Sequence, residues 1–138
     1  MERLCGFGKK KESFMSEAQA VEQALIKGDW EQGFNLATQW SQSQLSGPPA
    51  FFSLNVIYLL RGEFALAWQM HAKSLHEEED IKQVQEWVGS ILEAYPNEGY
   101  VHLIHGLFLA QSGQSEQSLA SYQESARLVP VSPFPHFF

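Results

Sequence analysis

The sequence predicts an all-α protein built from antiparallel helical hairpins. Leu, Ala, Gln and Glu, which favour helix, recur throughout the 138 residues, and no stretch alternates as a half-buried strand does. Apolar residues instead follow helical spacing, as they do between Val101 and Leu109. Gly28, Gly62 and Gly113 interrupt these runs where turns are expected. A chain of this length is expected to form one domain with a modest core.

The stretch from 99 to 130 gives the clearest hairpin. Its first apolar run stops at Gly113, and a second run of helical spacing ends at Pro130. Gly106 lacks a Cβ and would let the second helix approach closely, while Gly113 can adopt the left-handed conformation that ends a helix. A small residue at Ser118 would let Tyr122 wedge between helices. One hairpin cannot bury its own apolar face, so more copies are expected.

This stretch resembles one tetratricopeptide repeat, whose pattern is W-x2-L-G-x2-Y, then A-x3-F, then P. The seven signature positions hold His102, His105, Gly106, Leu109, Ser118, Tyr122 and Pro130. The glycine, the second aromatic and the proline agree with the pattern, whereas the Trp and Leu positions are both histidine and the Ala position is serine. The resemblance implies a short right-handed solenoid of stacked hairpins.

The spacing of two earlier turns agrees with the period of such a repeat. Gly28-Asp29-Trp30 and Gly62-Glu63-Phe64 are 34 residues apart, which predicts repeats at about 14–47 and 48–81. Each glycine is followed by an acidic residue, which suits a helix N-terminus. The distance from Gly62 to Gly113 is 51 residues, or one period plus 17, so an extra helix is expected near 80–94.

These boundaries define the predicted organisation of the chain. Seven helices are expected, at about 16–26, 30–43, 49–60, 64–76, 80–94, 98–111 and 115–128. One long helix over 64–95 is also permitted, but a break near 77–80 is favoured, with Asp80 and Gln83 as a capping box. Residues 1–13 are expected to be a flexible N-terminal segment, 14–130 the repeat domain, and 131–138 an apolar Pro/Phe-rich tail. A cap over the last hairpin is favoured for this tail, because terminal repeats need their outer face covered; the alternatives are a groove in its own or a neighbouring chain, and a chain cut from a longer protein.

The charge distribution argues against nucleic-acid binding. The chain has nine basic and sixteen acidic residues, and from Ser13 onward five basic residues face fourteen acidic ones, a net charge near −9. Nucleic-acid affinity comes largely from neutralisation of phosphates by Lys and Arg. Apolar segments are too short to suggest a membrane span, and the single Cys5 cannot form an internal disulfide. We therefore expect a cytoplasmic protein.

A peptide-binding groove is the functional expectation that the resemblance implies. The helix over 50–60 is apolar nearly all round, so either neighbours cover both sides or one side lines a groove. In tetratricopeptide arrays the first helix of each hairpin lines the concave face. Carried over, these positions are Phe52, Val56, Leu59, Leu60, Tyr100, Leu103, Leu107 and Gln111, with Ala110 beside them and Ala18, Glu22, Leu25 and Ile26 in the first repeat. The alternative is that helix 80–94 or the chain's own tail fills this space.

The sequence gives no support for catalysis, a metal or a cofactor. It contains no GxSxG, no glycine-rich phosphate loop and no HExxH. His71, His102 and His105 lie at positions that the repeat uses for packing, and the acidic run 77–80 fans round a helix start. We expect a non-catalytic module that binds a peptide or protein partner. The alternatives are a homo-oligomerising unit that uses the tail or helix 80–94, and an accessory or N-terminal region of a larger enzyme.

Overall fold

A computed structural model describes residues 16–43 and 47–129 as a set of seven α-helices, with no strand among them. The helices are α1 (Glu17–Lys27), α2 (Trp30–Ser41), α3 (Pro48–Leu60), α4 (Phe64–Ser74), α5 (Glu78–Ala94), α6 (Gly99–Gln111) and α7 (Ser115–Leu128). Over these described residues, the prediction of an all-α fold with seven helices is confirmed. The predictions for the N-terminal segment 1–13 and for the tail 131–138 lie outside the described residues.

Three glycines end the first helix of three hairpins. Gly28, Gly62 and Gly113 have φ of 75°, 79° and 85°, a conformation that costs glycine little because it has no Cβ. The hairpins they close are α1/α2, α3/α4 and α6/α7. At the start of α2, Asp29 Oδ1 accepts a hydrogen bond from the Gln32 backbone N–H at 3.1 Å. The three predicted turns therefore form by the expected backbone mechanism.

The region between α4 and α6 is broken into two helices. α4 ends at Ser74 and α5 begins at Glu78. Glu77 has extended backbone angles and is the N-cap, so the capping box joins Glu77 to Asp80, with Glu77 N 3.1 Å from Asp80 Oδ2. The predicted break between two helices is confirmed, but it lies at residues 75–77, slightly before the expected 77–80. The capping box likewise lies three residues before the one predicted between Asp80 and Gln83. The earlier start follows from the carboxylate of Glu77, which can accept from the backbone N–H three residues on.

Helices α3 and α6 form the centre of the fold and run in the same direction. The Phe52 and Phe108 rings meet edge to face with centroids 6.0 Å apart, and one turn further along each helix Asn55 contacts Gln111. α2, α4 and α5 pack on α3, while α1, α5 and α7 pack on α6. Because other helices pack on several sides of α3 and of α6, both helices are apolar nearly all round.

The α6/α7 hairpin depends on a close helix approach. A Cβ added to Gly106 would lie 2.5 Å from Tyr122 Cε1, so the ring occupies the space that a side chain would need. Ser118 is buried in the same hairpin. Burial also raises the pKa of the Tyr122 phenol to about 12. The expected role of Gly106 as the point of close approach is confirmed.

Helix α5 packs across the middle of the domain and reaches α1. Its buried residues Val84 and Val88 belong to the same core as Phe52. Trp87 Nε1 donates a hydrogen bond to Glu22 Oε2 at 2.8 Å, and this contact ties α5 to α1. The extra helix is thus an integral part of the core.

The Glu22 carboxyl makes stability depend on pH. Burial raises its pKa above the ordinary 4.5, and the hydrogen bond from Trp87 offsets part of that rise. At pH values between the pKa of Glu22 in the unfolded chain and its higher pKa in the folded chain, Glu22 binds more protons in the folded state. This group therefore makes the free energy of unfolding fall as pH rises above about 4.5. Glu22→Gln should remove that fall, because glutamine does not ionise. Its amide oxygen can still accept the hydrogen bond from the Trp87 indole, so the contact between α5 and α1 is kept. Urea unfolding from pH 4 to pH 8 measures it, and an unchanged pH profile would contradict the assignment.

Candidate functional site

The structure divides the predicted groove residues into buried and partly accessible ones. Phe52, Val56, Leu103 and Leu107 lie in the core, with exposed fractions of 0 to 3 %. They present no surface to a partner in this conformation. The half-buried members of the set are Leu59, Leu60, Tyr100 and Gln111. In the first repeat, Leu25 and Ile26 are also buried, whereas Ala18 and Glu22 are half-buried. Ala110 of α6 is exposed.

The physical reason is that neighbouring helices cover these positions. Val84 and Val88 of α5 share one apolar cluster with Phe52 and Leu103. This corresponds to the alternative in which helix 80–94 fills the space beside the first helices of the hairpins. The period of 34 residues predicts an extra helix between the hairpins, but it does not indicate against which helices that extra helix packs.

An open cleft remains at one edge of this core, where α3, α4 and the last turn of α6 meet. We call it the Trp68 cleft. Its volume is about 370 Å³, and its lining consists of Asn55, Leu59, Phe64, Ala67, Trp68, His71 and Gln111. Leu59 and Gln111 are the predicted groove residues that it includes. The site is therefore displaced from the expected concave face toward α4.

The outer wall of the cleft is formed by two exposed aromatic side chains on α4. Phe64 is 67 % exposed and Trp68 is 70 % exposed, and a spacing of four residues sets them on one face of the helix. The Trp68 indole stacks on the His71 imidazole, with ring centroids 5.0 Å apart and planes inclined by 29°. Large aromatics at such exposure are uncommon on a surface that has no partner.

The floor of the cleft is a polar pair that joins α3 to α6. Asn55 is 1 % exposed, and its Nδ2 donates a hydrogen bond to Gln111 Oε1 at 2.6 Å. Gln111 Nε2 lies 3.5 Å from Asn55 Oδ1, so the two amides face each other. A buried amide without a partner would cost free energy, and this pairing avoids that cost. The floor is fixed by its own hydrogen bonds before any ligand arrives.

His71 extends the polar floor to α4. Its Nδ1 lies 3.0 Å from Gln111 Oε1, the oxygen that also accepts from Asn55. An amide oxygen only accepts, so Nδ1 carries the proton and, in the neutral ring, Nε2 is left as an acceptor. One oxygen of Gln111 thereby joins all three helices of the cleft.

The described lining of the cleft is free of carboxylate, ammonium and guanidinium groups. Among its described residues there is no Asp, Glu, Lys or Arg. The cleft therefore offers apolar and aromatic contact area, the indole N–H of Trp68, and the amide groups of its floor. Such a surface suits binding through apolar side chains with a few hydrogen bonds.

A second cleft, of about 390 Å³, lies between α2 and the α3/α4 turn. Its lining includes Phe34 and Arg61. The Arg61 guanidinium carbon stands 4.6 Å from the centre of the Phe34 ring, and Arg61 Nε lies 2.9 Å from Glu63 Oε2. Because the cation already has an aromatic and a carboxylate partner, it is a weaker candidate for ligand binding.

Two further histidines, His102 and His105, make hydrogen bonds within the fold. His102 Nε2 lies 2.7 Å from the Pro96 carbonyl oxygen, and His105 Nδ1 lies 3.1 Å from Ser121 Oγ. Burial, with a smaller effect of His102, lowers the pKa of His105. Over residues 16–43 and 47–129, no group of three or more His, Cys, Asp or Glu side chains is arranged to hold a metal ion.

Sequence reasoning missed Phe64 and Trp68 as site residues. The available signal was a pair of large aromatics four residues apart on one helix, flanking Ala67 at a signature position of the repeat. That signal shows a shared face but not its exposure. The exposure arises because Ala67 and Ser74 are the buried residues of α4, on the side that meets the rest of the domain.

Comparison with protein-family models, with curated proteins and with solved structures finds no match for the chain. Among the described helices, none combines the length and the apolar character needed to cross a membrane.

Proposed function

We propose that this chain is a non-catalytic protein-interaction module that binds a peptide-like partner in the Trp68 cleft. The observation that supports it best is the pairing of two exposed aromatics with a hydrogen-bonded polar floor. Trp is enriched among the residues that dominate binding energy at interfaces. Phe64 and Trp68 are fixed on the backbone of helix α4, so this wall of the cleft would lose little conformational entropy when a partner binds.

We also propose that the helices form a short tetratricopeptide-like array interrupted by α5. Three hairpins closed by left-handed glycines support this, as does the contact of Gly106 with Tyr122 at two signature positions. A contact between Tyr100 of α6 and Trp30 of α2, with ring centroids 5.2 Å apart, brings the last hairpin back toward the first. The proposed array is accordingly a compact one. A cytoplasmic location remains the expectation.

Selection of peptides from a random library tests the proposed function while the natural partner is unidentified. The library is selected on the full chain, and each selected peptide is measured on wild type, Trp68→Ala and Leu119→Ala. Leu119 is 52 % exposed on α7 and is the matched control for loss of an exposed apolar side chain. We expect Trp68→Ala to weaken binding by tenfold or more, on the order of 1.4 kcal/mol, and Leu119→Ala to leave it unchanged. Peptides that bind Trp68→Ala as well as wild type would contradict the proposal.

A further inference from the structure

The Trp68 cleft also has a candidate occupant within the chain itself. We propose that residues 130–138 of the same chain bind in this cleft and compete there with the external partner. This inference rests on the proposed function, since it takes the cleft to be a binding surface. It adds an intramolecular ligand that regulates access to the site.

The first argument is the chemistry of the segment. Residues 130–138 read PVSPFPHFF, with prolines at Pro130, Pro133 and Pro135 and phenylalanines at 134, 137 and 138. Proline disfavours helix and favours an extended left-handed conformation, and aromatic-lined grooves bind such segments. Proline also lacks an N–H, so the backbone carbonyls of the segment need outside donors. The exposed indole of Trp68 is one such donor.

The second argument is charge. Residues 130–138 contain no Asp, Glu, Lys or Arg, and neither does the described lining of the cleft. The N-terminal segment outside the described residues, 1–15, carries Glu2, Arg3, Glu12 and the lysines at 9–11. Charged side chains would lose hydration in an uncharged apolar cleft without gaining partners. The C-terminal segment is therefore the better match of the two.

The third argument is reach. Val129 packs against Gly99 at the start of α6, where Val129 Cγ2 takes up the space that a Cβ at residue 99 would need. The cleft includes Gln111 at the other end of α6, and a helix of 13 residues spans roughly 18 Å. Nine extended residues reach up to about 30 Å. The segment is long enough to enter the cleft of its own chain.

Nuclear magnetic resonance on the full chain tests the proposal. The indole resonance of Trp68 is assigned with Trp68→Phe, a variant whose changed side chain is 70 % exposed in wild type. We expect nuclear Overhauser contacts between the Trp68 ring and the side chains of residues 130–138. Replacing Phe134, Phe137 and Phe138 together with serine should abolish those contacts and shift the Trp68 indole resonance. The indole resonance of Trp87, which hydrogen-bonds Glu22, should not shift, and Ser132→Ala should change neither resonance.

Two results would overturn the proposal. One is a Trp68 resonance that is identical in wild type and in the triple serine variant. The other is that the contacts appear in an isotope-filtered experiment on mixed labelled and unlabelled chains, which would assign the segment to the cleft of a second copy. Either result leaves the proposed function intact if selected peptides still require Trp68. Peptide binding that is independent of Trp68 would instead remove the proposed function.

Discussion

Gly106→Leu should destabilise the folded chain by about 1–3 kcal/mol or more. The new Cβ would lie 2.5 Å from Tyr122 Cε1, and the rest of the leucine would have to enter space that a buried ring already fills. Overpacking of this kind forces side chains from their rotamers or moves a helix. Chemical denaturation of the full chain measures the change. A free energy of unfolding equal to that of wild type would contradict the close approach of α6 and α7.

Gly89→Leu is the matched control for that substitution. Gly89 is also inside a helix, but no heavy atom of the described neighbours lies within 4 Å of the position its Cβ would take. Leucine has the higher helix propensity, so this variant should be more stable than wild type by about 0.5–1 kcal/mol. Opposite signs at the two glycines would show that packing, and not the change of residue type, produces the loss at Gly106.

Phe52→Ala should have the largest effect on stability, a loss of about 3–5 kcal/mol. The side chain is fully buried, and its ring packs edge to face on Phe108. Phe64→Ala removes the same atoms from a residue that is 67 % exposed and should change the free energy of unfolding by no more than about 0.5 kcal/mol. Denaturant midpoints of the two variants give the comparison. Similar losses at both positions would contradict the assignment of Phe52 to the core and of Phe64 to the cleft.

The helices and turns could be predicted from sequence because their signals are local. Gly28, Gly62 and Gly113 each have the left-handed φ that the residue type and the end of an apolar run indicate. The break before α5 also follows from local features, although the N-cap is Glu77 and not a later residue. Helix starts shift easily by a few residues, because several neighbouring acidic side chains can accept from the same backbone donors.

The accessible surface could not be predicted in the same way, because it depends on long-range packing. The apolar stripe of Phe52 and Val56 is compatible with a groove or with a core, and α5 decides the matter by supplying Val84 and Val88. Trp68 shows the opposite case, an apolar residue that is exposed, and its residue type alone does not indicate this. Gln111 was found through its repeat position, but its hydrogen bond to Asn55 depends on the parallel course of α3 and α6.

The most direct test of the proposed site is a chemical-shift map of the full chain with a selected peptide. The three diagnostic resonances are the indole N–H of Trp68 and the side-chain amides of Asn55 and Gln111, which lie within one cleft but on three different helices. We predict that all three shift together as the peptide is added, and that the indole of Trp87, which hydrogen-bonds Glu22 away from the cleft, does not. Saturable binding with shifts confined to another surface, and none at these three groups, would contradict the assignment of the Trp68 cleft as the binding site.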